Sequence, residues 1–184
     1  MNIGRSGLGR EGWPANAFRG QGRSYGGIMV GMPTTTHAAS LRRGRFSEPG
    51  RDYLLTTVTH QRQPVFADFA LARLAIQSLR ECDLAGESVT LAFVLMPDHL
   101  HWLLTLQNAE LSTLARRFKS VSARRVNRAL GCVGERLWQA GFYDHALRRE
   151  EDLPSMARYI VANPLRAGLV ESVREYPHWD AIWL

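Results

Sequence analysis

Two apolar runs meet at one turn in the middle of this chain, and no other feature restricts the fold so tightly. Val89-Thr90-Leu91-Ala92-Phe93-Val94-Leu95-Met96 leads into Pro97-Asp98, and His99-Leu100-His101-Trp102-Leu103-Leu104-Thr105-Leu106 leads out. Two such runs, parted only by a proline-aspartate joint, read as an antiparallel hairpin. Alternate strand residues share a face. His99 and His101 therefore project side by side, while Leu100 points the other way, into a core. Two imidazoles so placed can hold one metal ion on a rigid strand. The pair alone is a weak pattern, since a histidine beside a turn also serves as a hydrogen-bonded structural residue.

The flanking segments alternate in type. Residues 53–59 are β-branched and aromatic and read as a strand. A helix follows over 68–82, with Leu71, Leu74, Ile76, Leu79 and several alanines on its apolar face. Beyond the hairpin, 111–130 reads as a second helix packed through Leu114, Phe118, Val121 and Val126, ended at Gly131. Residues 137–147 are aromatic-rich and extended. Glu150-Glu151-Asp152 with Pro154 opens a last helix over 153–162, which stops before Asn163-Pro164 because the residue preceding proline is pushed out of helical geometry. The tail 176–184 is aromatic enough to pack back on the domain. The order is β-α-β-β-α-β-α, an α+β class. Residues 1–45 are rich in Gly, Arg and Ser without apolar periodicity and read as a disordered extension, with 46–184 as one folded domain. Met29 and Met32 each offer a later start.

Charge narrows the partner. The formal charge of +6 among 184 residues favours a polyanion, nucleic acid ahead of a membrane surface. The 111–130 helix carries Arg116, Arg117, Lys119, Arg124, Arg125 and Arg128 with no acid among them, which suits phosphate tracking without base specificity. Arg42, Arg43 and Arg45, with Arg51, form a second cluster: a phosphate-gripping arm or a solvated tail. Cys82 and Cys132 make neither a metal pair nor a disulfide framework, which fits a reducing cytosol. No apolar run approaches membrane-spanning length and the N-terminus lacks a secretory core, so a soluble, cytoplasmic protein is expected.

Tyr159 and Asn163 lie four apart on the last helix, hence on one face. A phenol can attack phosphorus, and an amide oxygen one turn on can complete a metal shell begun by two histidines. Singly, Tyr159 also fits an amphipathic-helix tyrosine with a wet hydroxyl, and Asn163 a helix cap. Together with three ordered blocks they carry a resemblance. Met96-Pro97-Asp98-His99-Leu100-His101 resembles the His-hydrophobic-His signature of single-tyrosine HUH transposases. Leu137-Trp138-Gln139-Ala140-Gly141-Phe142-Tyr143-Asp144-His145, followed by Tyr159-Ile160-Val161-Ala162-Asn163-Pro164-Leu165-Arg166-Ala167-Gly168-Leu169-Val170, resembles the REP-associated tyrosine transposases in particular.

That resemblance implies a ferredoxin-like antiparallel sheet with flanking helices, of HUH endonuclease type, as the catalytic domain. It implies a metal-dependent endonuclease and strand transferase acting on single-stranded or hairpin DNA, through a covalent 5′-phosphotyrosine. Tyr159 becomes the nucleophile, and His99, His101 and Asn163 the ligands. Transposon-borne relatives place a glutamine where this chain has Asn163. Hard phosphate oxygens favour Mg2+ or Mn2+ over zinc. Asp144 or His145 could accept the phenolic proton, although a hydrogen-bonded pair at a strand end is the plainer role; Tyr143 is the rival nucleophile. Monomer and homodimer both fit. Two other classes stay open: a catalytically idle hairpin-binding regulator, and a phosphodiesterase that activates water.

Overall fold

The computed structural model describes residues 47–148 and 151–183. Its centre is the hairpin: β2 (Ser88–Met96) and β3 (His99–Leu106) are antiparallel, with Met96 opposite His99 and Val94 opposite His101. β1 (Asp52–Val58) pairs with the other edge of β3, with Thr56 opposite His101 and Val58 opposite His99. β4 (Tyr143–Ala146) pairs with β1, and β5 (Trp179–Ala181) with β2. The five strands run in the spatial order β4-β1-β3-β2-β5, antiparallel throughout. The first four make the ferredoxin-like arrangement expected above. The aromatic tail does pack back on the domain, and it does so as an added edge strand.

Strand parity divides the side chains between two cores. Leu100, Trp102, Leu104 and Leu106 face α1 (Phe69–Leu84) and α2 (Leu111–Leu130). Asp68 caps α1 by accepting from the Leu71 amide at 3.0 Å, and Gly131 closes α2 at φ +69, where a Cβ would be strained. Phe66, Trp138, Phe118 and Trp102 form a chain of rings under these helices, at 5.2, 5.5 and 5.7 Å between successive centroids. Both indoles are satisfied as well as buried: Trp102 donates to Thr90 and Trp138 to Ser122.

The opposite face, which carries His99, His101 and Leu103, is covered by α3 (Leu153–Val161) and the tail. Ala157, Ile160 and Val161 of α3 pack on Leu91, Ala92 and Val94 of β2. The helix was expected to stop before Asn163-Pro164. It does end at Val161, but α4 (Asn163–Arg166) begins at once, because a proline in the first turn of a helix forfeits no hydrogen bond. The result is a bent helix pair. The Tyr176 hydroxyl donates to the buried Leu95 carbonyl at 2.7 Å and fastens the tail. Cys82 and Cys132 are free thiols. Among the described residues no helix is long and apolar enough to cross a membrane.

Candidate active site on the histidine face

The two imidazoles stand edge to face, 4.9 Å between ring centroids. Each is anchored through the same nitrogen. His99 Nδ1 bonds Asp98 Oδ1 at 2.5 Å, and His101 Nδ1 bonds Thr56 Oγ1 at 2.8 Å. Each ring thereby keeps Nε2 outside its Nδ1 bond, and an imidazole oriented in this way through one nitrogen can ligate through the other. Burial, then the charges of His99 and Arg166, push the His101 imidazole down to about 3 against a smaller opposing effect of Asp98, so it is a neutral donor at physiological pH.

Asp98 was read from sequence as part of the turn and of the block around the histidines, with no role of its own. It is 5% exposed and is shared between His99 and Arg62, whose guanidinium donates to Oδ2 at 3.0 Å. Burial raises its pKa, but the hydrogen bonds and charges of His99 and Arg62 outweigh that and hold the carboxyl below its ordinary range. Arg62 and its neighbour Gln61 both sit in the left-handed region, at φ +53 and +54. Thr56 and Arg62 carry no motif of their own. The signal for Asp98 was its place beside a candidate ligand.

Tyr159 is 43% exposed on the outer side of α3. Asn163 lies at the bend, its Nδ2 donating to the Ile160 carbonyl at 2.7 Å. Its Oδ1, the atom expected to face an ion, accepts from Arg166 at 2.9 Å. The same Arg166 nitrogen donates to the Tyr159 carbonyl at 2.6 Å, and the guanidinium carbon lies 4.0 Å from the centre of the Tyr159 ring. Arg166, absent from the candidate residues, thus touches Tyr159 and Asn163 and bears electrostatically on His101.

Tyr143 also stands in the histidine row: it pairs with Thr56, which pairs with His101 on its other side. It is 37% exposed. His145 shares that face but bonds the Glu151 carboxylate at 3.0 and 3.1 Å. Asp144 requires a correction. It opposes Leu55, whose side chain lies in the α1/α2 core, so Asp144 is on the wrong side of the sheet to take a proton from Tyr159.

The basic helix also differs from expectation. Its acids come from elsewhere: Arg117 meets Glu87, and Arg125 meets Ser78 and Glu81. Lys119, expected on phosphate, is bound inward to the Gln139 and Gly141 carbonyls, and burial pushes its pKa down to about 8. Arg116, Arg124 and Arg128 remain exposed. All six project from the helix that covers the face opposite His99 and His101. Arg51 pairs with Glu48 at 3.0 Å, while Arg42, Arg43 and Arg45 lie outside the described residues.

The chemistry of the residues present fits a divalent ion: two neighbouring imidazoles, each with Nδ1 already bonded, and the neutral amide of Asn163, whose partner Arg166 also bears on His101. Among the described residues no group of three or more His, Cys, Asp and Glu side chains could hold one, so a third protein donor would be neutral.

The family model "Transposase IS200 like" matches residues 50–163, from the strand before the hairpin to the candidate ligand at the helix bend. The chain belongs to that family. Within the family, it is 31% identical over 99 residues to a Haemophilus influenzae protein whose provisional name is REP-associated tyrosine transposase, and 28% identical over 86 residues to the REP-associated tyrosine transposase of Escherichia coli K12. These stretches cover 48% and 47% of this chain, and 56% and 50% of those proteins, so the chain spans about half the length of the curated relatives it matches. A solved REP-associated tyrosine transposase bound to a REP hairpin superposes with a TM-score of 0.61 at 22% identity, over 73% of this chain and 79% of that one. That likeness establishes the fold.

Proposed function

We propose that this protein cuts and rejoins single-stranded DNA at or near hairpin-forming palindromic repeats, with Tyr159 as nucleophile. The observation that carries the reading is the shared anchoring of His99 and His101 through Nδ1, with the rings 4.9 Å apart, which leaves both Nε2 atoms outside those bonds on the face that α3 covers. The REP hairpin held by the structural relative supports the choice of DNA.

His99 and His101, with Asn163 as the third donor, would hold Mg2+ or Mn2+. When bound, such an ion supplies polarisation of a non-bridging phosphate oxygen and compensates charge on the departing one. The phenol oxygen of Tyr159 forms the new bond to phosphorus as the bond from phosphorus to the 3′-oxygen breaks. The 3′-oxygen takes a proton from water, and the phenolic proton leaves to solvent, which reaches this exposed side chain. The product is a 5′-phosphotyrosine with a free 3′-hydroxyl. Bond energy is retained, so another 3′-hydroxyl can reverse the step without ATP. Asp98 and Thr56 hold the imidazole tautomers, and Asn163 spaces the donor set one turn from the nucleophile.

The test is a denaturing gel of the protein incubated with Mn2+ and a labelled hairpin oligonucleotide bearing single-stranded flanks. Wild type and Tyr143→Phe should give a covalent adduct, Tyr159→Phe none, and EDTA should abolish it. His99→Ala and His101→Ala should lose nicking while still binding the hairpin. An adduct persisting in Tyr159→Phe overturns the assignment. A second reading, a catalytically idle hairpin-binding regulator, is favoured by one contact: Arg166 already occupies the Asn163 oxygen. In that case wild type forms no adduct and binding is indifferent to EDTA.

A further inference from the structure

Arg166 performs no task in the chemistry above, yet it is the residue that ties the site together. One of its nitrogens bridges the Tyr159 carbonyl and Asn163 Oδ1 while its plane lies over the Tyr159 ring. It can do so because the chain bends between Val161 and Asn163. Without the bend, residues seven apart on one face would be about 10 Å from each other along the axis. The side chain is exposed, and a guanidinium has five donors, of which this bridge uses those of a single nitrogen. Its present acceptors are neutral carbonyl oxygens.

We propose that Arg166 is a positioning residue that couples the arrival of DNA to occupation of the ion site, standing in for the cation at Asn163 until a backbone phosphate draws it away. This rests on reading His99, His101 and Asn163 as that site. The amide oxygen has a second lone pair, so the obstacle is charge rather than occupancy: a fixed guanidinium beside the donor set repels a dication. A phosphate offers Arg166 bidentate, charge-assisted hydrogen bonds, stronger than those to the two carbonyls. Phosphate binding therefore removes the repulsion and frees Oδ1 in the same movement. Binding of DNA and of metal become mutually favourable, by linkage through one side chain.

The experiment measures binding in place of activity. Mn2+ alone is titrated into the DNA-free full-length protein and followed by electron paramagnetic resonance. Hairpin DNA with a single-stranded flank is titrated separately in EDTA at several salt concentrations. Arg166→Gln should bind Mn2+ about tenfold tighter, because a unit charge beside the dication has gone. The same variant should bind the flanked hairpin more weakly, with a salt slope lower by about one. Arg166→Lys keeps the charge without the fork, so its Mn2+ affinity and salt slope should stay near wild type; Arg166→Met removes the charge, should show both glutamine shifts, and serves if the glutamine variant does not fold. The proposal is overturned if either shift is absent, or if Mn2+ binding weakens, as it would for an arginine that merely supports the helix. Should wild type form no adduct while both shifts appear, the nuclease reading falls and the coupling stands; the reverse pattern removes only the role of Arg166.

Discussion

His99 illustrates how the orientation of a candidate ligand depends on residues beyond it. Its Nδ1 is held by Asp98, and Asp98 is held in turn by Arg62. Outer partners of this kind fix tautomer and ring orientation, and losing one costs roughly tenfold to a hundredfold in metal affinity. Asp98→Asn should therefore weaken Mn2+ binding by at least about tenfold, read in the same titration, while hairpin affinity in EDTA stays within twofold or so of wild type. Equal loss of both would mean that the residue supports the turn rather than the imidazole. The His99/His101 pair was legible because a two-residue period on a strand fixes its face. Asp98 was visible in the turn and in the histidine block, but not its role, which depends on a guanidinium from the connection after β1. Arg166 stood in the block that carries the resemblance but was given no role, because sequence spacing assumes an unbroken helix.

At the level of elements, β3 and α2 fall where hydrophobic periodicity put them. β5 was read as a packed tail because three residues beside Pro177 carry too little pattern for a strand; the free edge of β2 supplies what the segment lacks. The charge of α2 was counted correctly, but two of its arginines do have compensating acids. Glu81 on α1 and Glu87 before β2 lie far off in sequence, and folding brings them to Arg125 and Arg117. Lys119 holds the segment leading into β4, so Lys119→Ala should cost about 1–3 kcal/mol by leaving two carbonyls unpaired, measured by chemical denaturation, with little change in DNA affinity per folded molecule. Arg124→Ala should do the opposite: unchanged stability, with DNA affinity reduced only if nucleic acid reaches the α2 side of the sheet.

The whole molecule packs the helix that carries Tyr159 on its own sheet, for α3 lies through Ala157, Ile160 and Val161 on β2 of the same chain. The tail completes that face, and it carries His178, a buried imidazole packed between Phe69 and Tyr176. Burial, then the charge of Arg73, push its pKa below the ordinary 6.5. The unfolded chain therefore takes up a proton that the folded chain resists. The contribution to stability is full above pH 6.5 and is lost as pH falls through the lowered folded value. His178→Gln, uncharged at every pH, should be less stable than wild type at pH 7, with the gap narrowing by about pH 5 in denaturant midpoints. A gap constant with pH would assign the imidazole a packing role alone.

The backbone after β1 has a consequence of its own. Gln61 and Arg62 both adopt a left-handed turn that side-chain-bearing residues rarely enter, at a penalty of about 1–3 kcal/mol each. Any slackening of that loop toward common backbone angles withdraws the guanidinium from Asp98. A change in that loop alone would loosen the hold on His99 while Thr56, on β1, still held His101.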